Sequence, residues 1–459
     1  MKIKYILLLI FTANLFACKK FIQVDPPINQ IGSSAVYTSD ATATSVIRGI
    51  YSQMSTDGFA SGNQNSFELN SALSSDELVD NQAGVLPFYT NSLTVNNFAN
   101  NLWSDPYKFI NNANALIEGL NNSSGVTSST KKELTGEAEF VRAFCNFYLV
   151  NEFGNVPLIL TTNYQQNAVA SRTSTAIVYS QIVSDLKAAQ NSLSSDFSFS
   201  NGERDQPNLG AATALLARVY LYMGDWKDAE TEASLVINNT GTYKLASDLD
   251  SVFLANSSEA IWQLQPTTPP INTNEASLLI INSSNVNYSL NMDLYNAFEN
   301  GDNRKVKWIG SYFDGTNTYY FPYKYKVLTS QPLTEYSMVM RLAEQYLIRA
   351  EAEANGAGNG LTAAVSDLNI IRNRAGLPNY SGSLSKTSLL TAILHERQVE
   401  LFTEWGHRWL DLKRTGNVDA VMTIVTPQKG GTWKSYQQLY PIPLSDIQND
   451  KNLQQNPGY

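Results

Sequence analysis

Glu396, Glu400 and Glu404 form the one carboxylate constellation of the chain, spaced by four and therefore stacked along one face of a helix. Glycoside hydrolysis needs two carboxyl groups about 5 to 9.5 Å apart, and neighbours on this column satisfy that distance. Arg397, Arg408, Lys413 and Arg414 lie close by in the sequence. The competing reading is an ion-pair network where this helix meets the segment around Trp409, since such networks perturb carboxylates without doing chemistry. The column is read as structural, with a surface glycoside hydrolase as the alternative.

Other catalytic patterns lack their first requirement. His395 and His407 stand twelve residues apart with no further His or Cys at ligand spacing, which argues against a zinc site. There is no Gly-x-Ser-x-Gly elbow and no His-Glu-x-x-His. Gly356-Ala357-Gly358-Asn359-Gly360 follows a helical pattern rather than a strand, so it reads as a helix–helix linker and not a dinucleotide loop. Cys145 lies in an apolar helical stretch and reads as a buried, inert thiol. No catalytic residue, metal ligand or cofactor is expected.

Aromatic and amide side chains are the remaining candidates for recognition. Sugars present apolar C–H faces ringed by hydroxyls, which rings stack on while Asn, Gln and Asp pair with the hydroxyls. Two irregular stretches, 76–100 and 239–335, hold that mixture: Phe88, Tyr89 and Asn97 in the first, then Tyr288, Trp308, Tyr312, Tyr319 and Tyr320 in the second. Each of these is read as a candidate ligand contact against the alternative of local packing. Trp103, Trp226, Trp262 and Trp409 fall on helical or strand faces and are assigned to the core.

Loops of this kind need a rigid frame. Apolar residues at spacings of three and four predict helices over 40–56, 101–121, 131–151, 174–193, 209–223, 226–238, 338–355, 361–374 and 387–404. They come in pairs. In residues 209–238, Leu216, Ala217 and Tyr220 share a face, Gly224-Asp225 makes the turn, and Trp226 and Ala229 open the second helix, spacings that match a tetratricopeptide repeat. A looser copy runs from Leu342 to Arg374. The fold class expected is mainly α, a degenerate tetratricopeptide-like helix-pair core with long loops and short strands such as 260–264 and 319–321. A peptide-binding tetratricopeptide adaptor is the second alternative function.

Lys2 and Lys4 precede an apolar run from Ile6 to Phe16, too short for a permanent span and suited to an export signal. It ends at Leu15-Phe16-Ala17-Cys18, similar to a bacterial lipobox, so residues 1–17 are expected to be removed and Cys18 diacylated as a membrane anchor. Residues 18–35 read as a tether, 36–238 as an N-terminal helical region, 239–335 as a loop-rich ligand face and 336–459 as the part completing the same core. With 32 Lys+Arg against 41 Asp+Glu the chain has a net charge of −9, which argues against nucleic acid as a partner. Only 16% of its 459 residues are charged, while Tyr (24), Phe (19) and Trp (7) are plentiful, so its surface is rich in uncharged polar and aromatic groups.

Several stretches resemble the SusD/RagB family of outer-membrane lipoproteins. They include Cys18-Lys19-Lys20-Phe21 with Val24-Asp25-Pro26-Pro27, Gly136-Glu137-Ala138-Glu139-Phe140-Val141-Arg142-Ala143 and Phe153-Gly154-Asn155-Val156-Pro157-Leu158. The C-terminal run is the most specific: Glu396-Arg397, Glu400-Leu401, Gly406-His407-Arg408-Trp409, Asp411-Leu412 and Arg414-Thr415-Gly416, closed by Tyr440-Pro441-Ile442-Pro443 and Asn456-Pro457-Gly458-Tyr459. The resemblance implies a surface-exposed, lipid-anchored outer-membrane protein that captures oligosaccharide and sits as a lid on a SusC-like TonB-dependent transporter, without enzymatic activity. These motifs belong to the scaffold, and no family ligand motif maps onto a position here.

Overall fold

The computed structural model describes residues 36–56, 58–82, 84, 86–96 and 101–459. The expected signal segment, the tether with Cys18, and Asn97 lie outside the described residues.

Helices dominate. The N-terminal half holds α1 (Asp40–Thr56), α2 (Phe67–Ser74), α3 (Asn101–Asn122), α4 (Ser128–Phe153), the short α5 (Tyr164–Asn167), α6 (Thr175–Ser192), α7 (Leu209–Met223) and α8 (Trp226–Asn238). Next come the short α9 (Asn274–Leu279), α10 (Met292–Ala297) and α11 (Asn303–Lys307). The C-terminal part holds α12 (Leu342–Ala354), α13 (Leu361–Arg374), α14 (Lys386–Glu400), α15 (His407–Arg414), α16 (Val418–Gln428) and α17 (Leu444–Asn449). Among the described residues eight strands, β1 (Leu78–Asp80), β2 (Val156–Pro157), β3 (Arg172–Thr173), β4 (Ala260–Leu264), β5 (Tyr288–Leu290), β6 (Ile309–Phe313), β7 (Thr318–Pro322) and β8 (Ser337–Arg341), form four antiparallel pairs.

The long helices stack side by side in chain order: α3 on α4, α4 on α6, α6 on α7, α7 on α8, α8 on α12, and α12 on both α13 and α14. The α7–α8 pair shows how the sequence does this. Asn208 accepts a hydrogen bond from the Ala211 N–H at 3.0 Å to start α7, and Gly224, at φ 74°, ends it. Ala211, Ala212, Ala214 and Ala217 of α7 and Ala229 and Ala233 of α8 are fully buried, so the absence of larger side chains lets helix axes approach closely. Across the stack, Phe140 and Phe144 of α4 pack edge-on against Trp262 of β4 at 5.0 and 5.2 Å, and Phe144 meets Trp405 at 5.2 Å.

Because α8 rests directly on α12, residues 239–336 are looped out between two neighbouring helices. The β4–β8 pair, with Ala260 opposite Arg341 and Leu264 opposite Ser337, fastens the base of that excursion.

The helical periodicity located α1, α7, α8 and α13 at their observed bounds. The helix expected from 338 begins at Leu342, because Ser337–Arg341 is β8, whose Met338, Val339 and Met340 are buried against β4. The helix expected to reach 404 stops at Glu400. Thr403 (φ 49°), Trp405 (φ 45°) and Gly406 (φ 66°) turn the chain with left-handed backbone into α15. Trp103, Trp262 and Trp409 are buried and Trp226 packs partly buried on the core.

Candidate functional site

The carboxylate column lies in the interior. Glu396 and Glu400 have no exposed surface and Glu404 is buried with them. Their partners are not the basic residues near them in sequence. Arg304 of α11 reaches Glu396 at 2.6 Å and Glu400 at 2.8 Å, while Arg341 of β8 reaches Glu400 at 2.5 Å, Glu404 at 2.7 Å and Glu259 at 2.9 Å. Arg374 joins Glu400 and Glu259, and Lys324 donates to Glu404 and to the carbonyls of Glu400 and Phe402. Arg397, Arg408, Lys413 and Arg414 pair instead with Asp411, Asp76, Glu152 and Glu351. Burial alone would push the Glu400 carboxyl upward, but the guanidiniums of Arg374, Arg341 and Arg304 hold it well below the usual carboxylate range. An acid locked in its charged form and sealed from solvent neither donates a proton nor meets a glycosidic oxygen. The column is a rivet between the excursion and the helical stack.

Cys145 and His407 are equally enclosed. Burial drives the thiol well above its usual value, and burial together with Arg218 and Arg397 keeps His407 neutral. Among the described residues no cluster of His, Cys, Asp and Glu is placed to hold a metal ion.

The two irregular stretches meet. β1 from the first pairs with β5 from the second, Leu78 opposite Leu290, Val79 opposite Ser289 and Asp80 opposite Tyr288. Past the end of the pair, the Asn81 N–H donates to the Asn287 carbonyl at 2.8 Å and the Asn81 amide donates to Ser289 Oγ at 2.9 Å. The β6–β7 hairpin packs beside β5. Between them opens a trough of about 420 Å³, lined by Asn81, Gln82, Ser284, Asn285, Val286, Asn287, Asp314 and Tyr319. Asp314 closes the hairpin turn: its Oδ1 accepts the N–H groups of Thr316 and Asn317 at 2.7 Å each, and these bonds hold its carboxyl below the usual range.

The sequence-derived candidates separate cleanly against this geometry. Tyr319 lines the trough. Tyr312 lies opposite it in the hairpin register, half-buried on the same hairpin face, but outside the lining. Tyr320 points to the other hairpin face, where it stacks on Tyr295 at 3.9 Å, with Lys305 Nζ 3.9 Å from the Tyr295 ring centroid. Tyr288 is buried; its hydroxyl accepts a 2.8 Å hydrogen bond from Gln82 Nε2 and so braces a lining residue from behind. Tyr89 is half-buried under Lys429 Nζ at 5.2 Å.

Phe88 and Trp308 are corrections: both are core residues. Phe88 packs edge-on against Tyr440 at 5.3 Å. Trp308 has no exposed surface, donates from Nε1 to the Leu249 carbonyl at 3.0 Å, and lies against Lys324, Arg341 and Arg374 at 5.0 to 5.9 Å, filling the space beneath the rivet. Asn81, Gln82, Asn285, Asn287 and Asp314 were not singled out by the sequence reading. The one signal of the four amides is their place in uncharged stretches with neither helical nor strand period, and Asp314 stands in an Asp-Gly turn dipeptide.

Two further cavities, about 360 Å³ beside Trp103 and Tyr107 and about 440 Å³ beside Arg48 and Asp205, lie elsewhere on the body. Neither is built from both irregular stretches at once.

Comparison with known proteins agrees with this architecture. Residues 189–459 match the profile of the SusD family, and residues 20–221 match a profile described as starch-binding associating with outer membrane. The SusD-like protein P2 of Formosa agariphila is 26% identical over 519 aligned positions, covering 100% of this chain and 99% of that protein. Among solved structures, a SusD superfamily protein from Bacteroides vulgatus superposes with TM-score 0.79 at 20% identity, over 92% of this chain and 100% of its own. A laminarin-binding SusD-like protein superposes with TM-score 0.73 at 26% identity over the same shares. With its carboxylates interred, a trough assembled from loops and these relatives, the chain is a binding protein rather than an enzyme, and it belongs to the SusD family of outer-membrane-associated proteins.

Proposed function

We propose that the chain captures oligosaccharide at the cell surface in the trough between the β1–β5 pair and the β6–β7 hairpin, and passes it to a SusC-like TonB-dependent transporter. The observation that carries this reading is the convergence of Tyr319 with Asn81, Gln82, Asn285, Asn287 and Asp314 around one open trough. A ring for the apolar face of a sugar and amides for its hydroxyls are the groups that such recognition uses. The names of the relatives point the same way, one binding laminarin and one family profile being described as starch-binding. Such contacts are shallow, so affinity is modest. Acylation at Cys18 holds the trough near the transporter mouth, where tethering raises the effective concentration of captured glycan.

The test is isothermal titration of the protein against laminarin and starch oligosaccharides, repeated with Tyr319→Ala. Loss of binding in that variant, with an unchanged melting temperature, supports the trough as the site. Unchanged affinity removes it. Delivery is tested by co-purifying the transporter from membranes through this chain, with Cys18→Ser as the untethered control.

A further inference from the structure

We infer that the trough selects neutral glycans and turns away uronic-acid and sulfated ones. The inference rests on the capture reading above and narrows it to a substrate class. It comes from what the converging segments leave out. Although 16% of the whole chain is charged, residues 81–101 contain no Asp, Glu, Lys or Arg, and neither do residues 276–292. Residues 308–323 contain one, Asp314. These are the three segments from which every described lining residue comes.

A carboxylate or sulfate taken out of bulk water needs a cation or several convergent N–H donors, and Arg is the side chain that fits it best. The trough offers no Lys or Arg among its described lining residues. The lysines bordering the third segment are committed elsewhere. Lys307 and Lys326 bind Asp250 at 2.5 and 2.9 Å, and Lys324 is buried against Glu404. What remains is the exposed, hydrogen-bonded carboxylate of Asp314 on the rim, which repels a second anion and accepts from a hydroxyl. The amides of Asn81, Gln82, Asn285 and Asn287 each carry both a donor and an acceptor, the pairing that a ring of hydroxyls presents.

The experiment is retention of the full-length chain, solubilised in detergent, on immobilised laminarin and starch as neutral ligands and alginate and chondroitin sulfate as acidic ones. Retention on a neutral matrix alone is expected. Elution should not shift when salt rises from about 0.05 to about 0.5 M, because no ion pair is being screened. Asp314→Lys should gain at least threefold retention on alginate at low salt, with a slightly lowered melting temperature because the turn loses the acceptor of the Thr316 and Asn317 N–H groups. Asn285→Ala, an exposed change with no folding consequence, should lower retention on the neutral matrix. Retention on an acidic matrix by the unmodified chain, alone or beside a neutral one, overturns the inference and leaves the capture reading standing. Retention on none of the four overturns the capture reading and the inference with it.

Discussion

Asp80 sits directly opposite Tyr288 in the β1–β5 pair, and the Tyr288 hydroxyl receives the side-chain amide of Gln82, two residues beyond Asp80, at 2.8 Å. A buried ring thus fixes an amide on the trough wall. Tyr288→Phe keeps the ring and its packing but removes the acceptor. The expected result is a three- to tenfold weaker glycan affinity, corresponding to about 0.5 to 1.5 kcal/mol for one hydrogen bond, with little change in melting temperature. Titration calorimetry beside a thermal melt separates the two effects.

Tyr319 and Tyr320 are adjacent in sequence and face opposite sides of the hairpin. Tyr319→Ala should weaken glycan binding about fivefold or more, the scale of one ring stacked on a sugar at about 1 kcal/mol. Tyr320→Ala should leave affinity within twofold, since its ring is spent on Tyr295. The ratio of the two dissociation constants is the measurement.

Glu400 discriminates binding protein from hydrolase. Glu400→Gln leaves Arg304, Arg341 and Arg374 short of their shared anion, and breaking a buried ion pair from one side costs about 3 to 5 kcal/mol. Urea unfolding should show that loss. Neither the parent nor the variant should release reducing ends from laminarin or starch.

Glu137 sets a pH dependence. Burial raises its carboxyl from 4.5 to about 8, while the Tyr51 hydroxyl, donating to it at 2.7 Å, pulls weakly the other way. Such a group binds its proton more tightly in the folded state. Its contribution to stability is therefore fully present below the ordinary carboxyl range and is lost as pH climbs through about 8. Glu137→Gln mimics the protonated form and should flatten that decline, by at most about 1.4 kcal/mol for each pH unit in the window. Thermal melts of both proteins between pH 5 and pH 9 test it.

Helices were legible because burial imposes a period that a single stretch of sequence displays. Trp308 was misplaced for the opposite reason. It sits in a polar stretch that reads as surface, yet the neighbouring Arg304 turns inward to Glu396 and Glu400 and draws the indole under the cluster. The partners of the glutamate column were misjudged because sequence proximity says nothing about pairing across the core. Arg341 and Glu404 are 63 positions apart, whereas Arg397 beside the column turns to Asp411. The trough escaped notice because the register of β1 on β5, joining segments about two hundred residues apart, leaves no local trace, and amide-rich loops have no period to read.

Residues 239–336 leave the stack between α8 and α12 and come back to the same place, which makes them resemble an exchangeable cassette. The buried cations deny that modularity. Arg304 and Lys324 belong to the loop; Arg304 pairs with Asp302 beside it, and both cations also reach anions of α14 and the turn after it. A chimaera that transplants a foreign recognition loop onto this scaffold must import both these cations and the Glu259 carboxylate that Arg341 and Arg374 share, at matching depth, or the buried charges fall out of balance.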